Sequence, residues 1–307
     1  MIDMIILVNS TRLIVCRLFI FVLVVSYCCH GFQVIQHINR NLQCRATFDI
    51  TASNNINNID ISIKTSNSIR FNGGGIKFWW QCGVSKFLQE QSELINLKNK
   101  TLLGSSAGSL TAALTYLEID MDKCAEYAIN QAYRENLWQK PFGLLGVWGE
   151  LVREWLNFLI DDDKFNAYKN DDKNRLYIAA TPFSLRQTFK NGRKPVYLSS
   201  FQTKAELIEA CMASIHIPFF MDGKVYSKYQ DKRYIDGSFW SFVRKKDLID
   251  DHDIQLPSPI YNIDWRLDKQ FEEKFSTNFV DLITPDCLYE MMNCGYNYMK
   301  TEYDKEL

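Results

Sequence analysis

Apolar blocks of two different lengths recur along the chain after residue 68, and each length is typical of one kind of element. Short runs rich in β-branched and aromatic residues have the length of strands, whereas longer stretches repeat their apolar residues every three or four positions, as helices do. The pattern predicts strands at residues 68–71, 101–103, 175–180, 195–201, 233–235 and 260–263, and helices at 77–89, 106–117, 122–137, 144–160, 204–214 and from Pro285 onward. Because strands and helices alternate, we expect an α/β fold with a parallel sheet.

The first 31 residues have the pattern of a signal peptide. The apolar run at residues 18–25 follows Arg12 and Arg17, and the small residues Cys29 and Gly31 suit positions −3 and −1 of a cleavage site. An uncleaved anchor is an alternative, although the run alone is too short to cross about 30 Å of hydrocarbon. A buried N-terminal strand is a third interpretation. Such a leader predicts the secretory pathway or an endomembrane, with a plastid or an anchored membrane protein as alternatives.

Composition narrows the functional classes. With 47% hydrophobic residues, the 307-residue chain can bury a sizeable core. Its 35 Lys and Arg balance 36 Asp and Glu without a block of one sign, which argues against a nucleic-acid partner.

The cysteines argue against a metal site. Of nine cysteines, Cys16, Cys28 and Cys29 lie in the leader, and the six that remain would allow three disulfides. Four of those six fall among apolar residues of predicted helices, which favours free thiols. These four are Cys82, Cys124, Cys211 and Cys294. Since no Cys/His spacing suits a metal, we expect neither a metal nor a cofactor.

The first candidate for chemistry is the G-x-S-x-G sequence at residues 104–108, between a predicted strand and a predicted helix. A serine in this context occupies a sharp, strained turn, and the positions two before and two after it must lack a bulky side chain. Gly104 and Gly108 meet that demand. Ser106 and Ala107 would then lie at a helix N-terminus, where free amides stabilise an oxyanion. The alternative is a helix cap without chemistry.

Three consecutive glycines, Gly73, Gly74 and Gly75, follow the first predicted strand. Such a run costs conformational entropy, so it indicates a close backbone approach or several N–H groups turned toward one anion. Neither a P-loop lysine nor the G-x-G-x-x-G spacing is present. An oxyanion hole is the functional interpretation that remains, and a tight strand–helix turn is the structural one.

A serine nucleophile needs a base, and Asp236 is the favoured candidate. It ends an apolar strand beside Gly237, where desolvation would raise its basicity. An ordinary Asp-Gly turn is the alternative. His252 would complete a Ser-Asp-His order, but it lies in a polar segment typical of a solvated loop, and His216 lies in an apolar run beside Pro218.

Together these motifs resemble those of the patatin-like phospholipases. The glycines and lysine of residues 73–77, the G-x-S-x-G sequence, the Ala-Ser-x-x-x-Pro segment at 213–218 and Asp236-Gly237 occur in that family's order, across residues 68–264. The resemblance implies a three-layer α/β/α fold with a central, mainly parallel sheet.

The resemblance also implies the roles of the site residues. Ser106 would be the nucleophile of a Ser–Asp dyad and Asp236 its base, with the amides of residues 73–75 as the oxyanion hole and Lys77 and Gly237 in support. Phe78 and Ser238 stand where the family usually has smaller residues.

A function and a domain plan follow from the resemblance. We expect a metal-independent lipid acyl hydrolase that forms an acyl-serine and acts on a glycerolipid or phospholipid at a membrane surface. An acyltransferase on the same dyad and a catalytically weak lipid-binding or storage protein are the alternatives. The expected segments are a signal peptide at 1–31, an extension at 32–67, a catalytic domain at 68–265 and a helical extension at 266–307 packed on that domain.

Aromatic residues flank the glycine run, the Ala-Ser-x-x-x-Pro segment and Asp236-Gly237, which Phe239 and Trp240 follow, and they have two interpretations each. Trp79 and Trp80 beside the glycines, and Phe220 after Pro218, would either contact lipid or fill the core. The predicted helix at 144–160 would be a lid or membrane contact, or, as we favour, a helix buried against the sheet.

Overall fold

The computed structural model describes residues 62–171, 173, 175–184, 194–239, 256–275 and 281–306. The expected signal peptide, most of the expected extension, Trp240 and the candidate base His252 lie outside the described residues. The leader and the domain boundaries therefore stay predictions.

A mixed sheet lies at the centre of the described part of the chain. Its strands are β1 (Ser68–Phe71), β2 (Thr101–Ser105), β3 (Leu176–Pro182), β4 (Val196–Leu198), β5 (Ser227–Tyr229), β6 (Lys232–Ile235) and β7 (Ile260–Ile263). They follow the order β5-β6-β3-β2-β1-β7, and β4 also pairs with β3. Strands β3, β2, β1 and β7 are parallel, whereas β4 and β6 are antiparallel to β3, and β5 is antiparallel to β6.

The parallel strands at the centre are buried on both faces. All five residues of β2 are buried, as are all residues of β1 except Arg70. Continuous burial of this kind is typical of parallel strands covered by helices on both sides, and it gives the expected three-layer α/β/α architecture. In the β1–β2 register Phe71 pairs with Gly104. The glycine run and the G-x-S-x-G sequence therefore start side by side, at the carboxyl ends of neighbouring strands.

The helices in the described residues are α1 (Phe78–Glu90), α2 (Ala107–Tyr116), α3 (Met121–Arg134), α4 (Trp148–Leu159), α5 (Asp162–Lys169), α6 (Lys204–Ser214), α7 (Lys269–Lys274) and α8 (Pro285–Asp304). Side-chain caps define several of their starts. The side chains of Asp120, Thr203 and Thr284 accept backbone N–H groups in the first turns of α3, α6 and α8. Such caps satisfy donors that have no partner within the helix. No helix among these residues combines the length and apolar character that a membrane crossing requires.

Helix α4 is joined by side-chain contacts to α3 and α6. Trp155 donates its ring N–H to the Cys124 carbonyl oxygen at 2.9 Å. On the outer side of α4, Glu154 accepts Arg134 of α3, and Arg153 pairs with a glutamate of α6. The helix starts later than predicted, at Trp148, since the positive φ of 79° at Gly146 is incompatible with a continuous helix.

Four cysteines within helices are free thiols, as the sequence predicts. Cys82, Cys124, Cys211 and Cys294 are all free thiols within helices. Burial raises the pKa of each thiol, so these groups stay protonated at neutral pH.

Helix α8 packs directly against α1 through two glycines. A Cβ atom at Gly295 would lie 1.9 Å from the carbonyl oxygen of Trp80, and one at Gly83 would lie 1.8 Å from that of Met292. Both distances are shorter than any van der Waals contact. The two helix backbones therefore touch where they cross, and only glycine permits this approach.

We expect Gly295→Ala to lower the free energy of unfolding by about 1–3 kcal/mol, because the added methyl group forces α8 away from α1. Urea denaturation followed by circular dichroism measures this. Asn297→Ala, an exposed position on the same helix, is the control and should change stability by less than about 0.5 kcal/mol. Equal stability of Gly295→Ala and the wild type would contradict the close crossing.

Candidate active site

Ser106 occupies the strained turn that the G-x-S-x-G sequence predicts. It lies between the end of β2 at Ser105 and the start of α2 at Ala107, with φ of 53° and ψ of −131°. A Cβ atom at Gly104 would lie 2.2 Å from the Gly108 carbonyl oxygen, which explains why these two flanking positions are glycine. The turn lifts the Ser106 side chain over the end of the sheet.

The backbone of Ser106 is held by a second serine. The Ser106 N–H donates to Ser214 Oγ at 3.0 Å, and Ser214 Oγ donates to the carbonyl oxygen of Ala179 in β3 at 2.6 Å. The strained turn is thus tied both to the end of α6 and to the sheet. Sequence reasoning did not assign this role, although Ser214 belongs to the Ala-Ser-x-x-x-Pro segment that supports the family resemblance.

Asp236 lies directly against Ser106. The hydroxyl of Ser106 donates to Asp236 Oδ2 at 2.5 Å, between residues 130 positions apart in the sequence. Asp236 follows the last residue of β6, and its side chain is buried, with 4% exposure. The structure thus brings together the two residues that the sequence proposed as nucleophile and base.

Three hydrogen bonds orient Asp236. Its Oδ1 accepts the Ser238 N–H at 2.7 Å, its own N–H donates to the His216 carbonyl oxygen at 2.8 Å, and its carbonyl oxygen accepts Thr181 Oγ1 at 2.9 Å. Oδ2 is thereby left to face Ser106. Gly237 supports this arrangement, since its N–H donates to the Ser214 carbonyl oxygen at 2.8 Å.

Burial raises the pKa of Asp236 to about 6, because the ionised carboxylate loses its hydration. Hydrogen bonds from the Ser106 hydroxyl and from the N–H groups of Ser238 and Phe239 act in the opposite direction and limit the rise. The result is a carboxylate that is ionised at neutral pH and is a stronger base than a solvated aspartate. A base whose pKa is near the working pH is well suited to proton transfer.

The glycine run lies beside the hydroxyl of Ser106. A Cβ atom at Gly73 would lie 3.1 Å from the Cβ of Ser106, and Gly75 has a positive φ of 55°. The N–H groups of Gly73 and Gly74 donate to no other residue in the described part of the chain. They are therefore available to an oxyanion that forms on a group bound to Ser106.

Lys77 anchors the end of the glycine run. Its ammonium donates to the carbonyl oxygen of Phe275 at 2.9 Å and lies over the rings of Trp265 and Phe271, at 5.4 and 5.3 Å. Burial lowers the pKa of this amine. The contacts join the turn that follows the glycines to the end of α7.

Ser238, where the family usually has a smaller residue, fills the space next to Gly73. Its hydroxyl donates to Ser105 Oγ at 2.9 Å and would lie 2.2 Å from a Cβ atom at position 73. With a serine at position 238, any side chain at position 73 would clash, so the glycine at 73 is required by space. Sequence analysis treated Ser238 only as a departure from the family pattern and did not anticipate this contact.

His216 is not positioned to serve Ser106. Its Nε2 faces the Lys224 carbonyl oxygen at 3.2 Å, and burial lowers the pKa of the ring, so it is neutral at neutral pH. The other candidate, His252, lies outside the described residues. Among the residues that the structure describes, no group of three or more His, Cys, Asp or Glu is arranged to hold a metal ion.

An apolar cavity of about 140 Å³ opens beside Ser106. Gly75 and Ala107 border it next to the serine, and its walls include Trp79 of α1 and Trp148 of α4. None of the described residues that line it carries a charged side chain. The cavity therefore favours hydrocarbon over any charged group.

The aromatic residues near the motifs divide between cavity and core. Trp79 and Phe220 line the cavity, whereas Trp80 is fully buried and donates its ring N–H to Asp268 Oδ2 at 2.8 Å. The sequence could not separate the two tryptophans, because they are neighbours on one helix and their directions depend on the position of α7.

Comparisons with known proteins find relatives of part of this chain. Omega-hydroxyceramide transacylase of Mus musculus is 29% identical over 179 residues, which is 58% of this chain and 28% of that protein. The protein of the same name from Homo sapiens is 26% identical over 176 residues, 57% of this chain and 31% of that protein. The chain thus spans less than a third of the length of either relative.

The crystal structure of VipD from Legionella pneumophila aligns over 78% of this chain and 67% of that one, with 12% identity and a TM-score of 0.38. A family model described as patatin-like phospholipase matches residues 70–243, from β1 to beyond the turn that carries Asp236. Since this match covers more than half of the 307 residues, the chain belongs to the patatin-like phospholipase family.

Proposed function

We propose that this protein is a lipid acyl hydrolase that uses Ser106 as nucleophile and Asp236 as base. The observation that carries the proposal is the 2.5 Å hydrogen bond from Ser106 Oγ, which borders an apolar cavity, to the buried carboxylate of Asp236. Family membership supports a lipid-processing activity in general. The two side chains suit nucleophilic attack on an acyl carbon, and the choice of an ester as the bond cleaved follows the resemblance to lipid acyl hydrolases.

In the proposed first step Ser106 Oγ attacks the ester carbonyl carbon while its proton passes to Asp236 Oδ2. The oxyanion that forms accepts the free N–H groups of Gly73 and Gly74. When the tetrahedral intermediate collapses, the ester C–O bond breaks, the alcohol leaves with the proton from Asp236, and the acyl group stays on Ser106. Asp236 then takes a proton from water, the resulting attack releases the fatty acid, and Ser106 regains its proton.

The proposed substrate is a glycerolipid or phospholipid. The lining of the cavity has no charged side chain, so it suits the acyl chain, while the polar head group would stay outside it. We also propose that the protein contacts the membrane surface only transiently. The leader would deliver it through the secretory pathway. We propose no nucleic-acid partner, since the charges of the chain are balanced.

Acyl transfer is the second candidate. The mouse and human relatives are named omega-hydroxyceramide transacylase, and an acyl-serine can be resolved by a lipid hydroxyl in place of water. Both reactions use the same first step. Product analysis with an added long-chain alcohol separates them: a hydrolase releases mainly free fatty acid, whereas a transferase forms the new ester at the expense of the acid.

We expect a fluorophosphonate probe to label Ser106, because an adjacent base activates this hydroxyl, and Ser106→Ala to abolish labelling. The same substitution should lower kcat for ester hydrolysis by about three orders of magnitude or more. Ser85→Ala is the matched control, since Ser85 is a buried serine that bonds to Thr115, and its labelling should match the wild type. Full activity of Ser106→Ala would refute the assignment of the nucleophile.

The activity should depend on the ionisation of Asp236, whose pKa is raised to about 6. Below that pH the carboxyl is protonated and cannot accept the serine proton, so kcat/KM should fall about tenfold per pH unit, and above it kcat/KM should level off. Asp236→Asn should lose this pH dependence together with most of the activity. Initial rates on a soluble ester between pH 4.5 and 8.5 measure the profile.

Two control variants test whether Asp236, and not a histidine, is the base. The folded-state pKa lies above the ordinary value of 3.8, so the cost of this carboxyl to stability builds up as the pH rises from 3.8 to about 6 and stays constant above that. Asp236→Asn should therefore unfold no earlier than the wild type at pH 8. His252→Ala should keep the whole profile, and loss of turnover in a folded His252→Ala protein would show that a histidine is the base.

A further inference from the structure

Part of the wall of the cavity beside Ser106 comes from a segment beyond the family match. The matched residues end at 243, yet four residues of the C-terminal segment line the cavity. They are Leu282, Ile283, Pro285 and Leu288, which we call the C-terminal wall. Leu288 is buried, and the other three are partly exposed.

The C-terminal wall is held in place at both of its ends. Before α8, the Trp138 ring N–H donates to the Ile283 carbonyl oxygen at 3.2 Å. At the start of α8, Thr284 caps the helix by accepting the Cys287 N–H at 3.3 Å. Beyond it, α8 touches α1 at the two glycine crossings described above, and α1 also begins with cavity-lining residues. The C-terminal wall and the start of α1 thus form two sides of the cavity, and the contact between α8 and α1 joins these sides directly.

The surface that faces the cavity near this wall is hydrocarbon. The ring N–H of Trp138 donates to the carbonyl oxygen of Ile283. Gln131 donates its amide to the Leu151 carbonyl oxygen at 3.1 Å and to Glu154, and Trp155 donates its ring N–H to Cys124. The N–H groups of these three side chains are thus bonded to protein acceptors. An occupant next to them would gain free energy mainly by burying apolar surface.

We propose that the C-terminal wall contacts the acyl chain of the substrate and sets the acyl-chain length that the enzyme accepts. This inference rests on the proposed function, since it takes Ser106 as the residue that carries the acyl group. Burial of one further methylene group favours binding by about fourfold, so kcat/KM should rise with chain length until the cavity is filled. A side chain that takes up part of the cavity should end that rise earlier.

The test uses the full chain and a series of p-nitrophenyl esters from acetate to palmitate. Ile283→Trp should leave kcat/KM for acetate and butyrate within about twofold of the wild type. For the longest esters it should lower kcat/KM by about tenfold or more, which corresponds to the exclusion of two or more methylene groups. Asp286→Trp places the same side chain at an exposed position of the same segment, and it should leave the ratio of long-chain to short-chain activity unchanged.

Leu288→Ala gives a second measurement that adds no bulk to the core. It widens the cavity, so the preferred ester should shift toward longer chains, whereas Tyr289→Ala, at the neighbouring exposed position, should cause no shift. Labelling rates of Ser106 with short-chain and long-chain alkyl fluorophosphonates provide the same comparison without turnover. A circular dichroism spectrum of each variant verifies that it is folded.

The outcomes separate this inference from the proposed function. If Ile283→Trp and Leu288→Ala both keep the chain-length preference of the wild type, and activity still depends on Ser106, the proposed role of the C-terminal wall is refuted. The proposed function is not affected by that result. A uniform loss at all chain lengths in folded variants would refute the role of the wall as well, because the wall would then act on the site as a whole. If the wild type cleaves no ester of any length and Ser106 takes up no probe, the proposed function is refuted. The role of the C-terminal wall, which depends on that function, is then refuted as well.

Discussion

The hydrogen bond from Ser106 to Asp236 is the constraint around which the site is built. It joins the end of β2 to the end of β6, strands that are not neighbours in the sheet, since β3 lies between them. Both side chains reach the same place because β2 ends in a strained turn and β6 runs antiparallel to β3. A change in the pairing of β6 would move the carboxylate away, so the antiparallel side of the sheet matters as much for chemistry as the parallel side.

Burial gives this contact its chemical character. Removal of water raises the pKa of Asp236 to about 6 and strengthens it as a base, but an isolated buried charge is costly. Hydrogen bonds from Ser106 and from the backbone at Ser238 and Phe239 reduce that cost. The same dry surroundings continue into the apolar cavity. Base strength and preference for hydrocarbon therefore have one physical origin, the exclusion of water from this end of the sheet.

The fold was largely predictable where the pattern is strong. The strands at residues 68–71 and 260–263 and the helix at 204–214 have the predicted bounds, because each is a continuous apolar or periodic block. Strand β5 and helices α5 and α7 were not predicted, since segments of three, eight and six residues are too short to show a clear period. The antiparallel pairing of β4, β5 and β6 also differs from the parallel sheet that the alternation of elements suggested, because pairing direction depends on connections that the pattern does not encode.

The sequence by itself determined which residues are able to do the chemistry. Glycines at 73–75, 104 and 108 have few local explanations other than tight turns and free amides, and an aspartate that ends an apolar strand is a candidate for a desolvated base. Only the tertiary structure decided what those residues meet. Ser214 bonds to the backbone of Ser106, Ser238 packs against Gly73, and Trp79 turns to the cavity while Trp80 turns to the core. These contacts join residues far apart in the chain, and their geometry follows from packing, which local sequence does not specify.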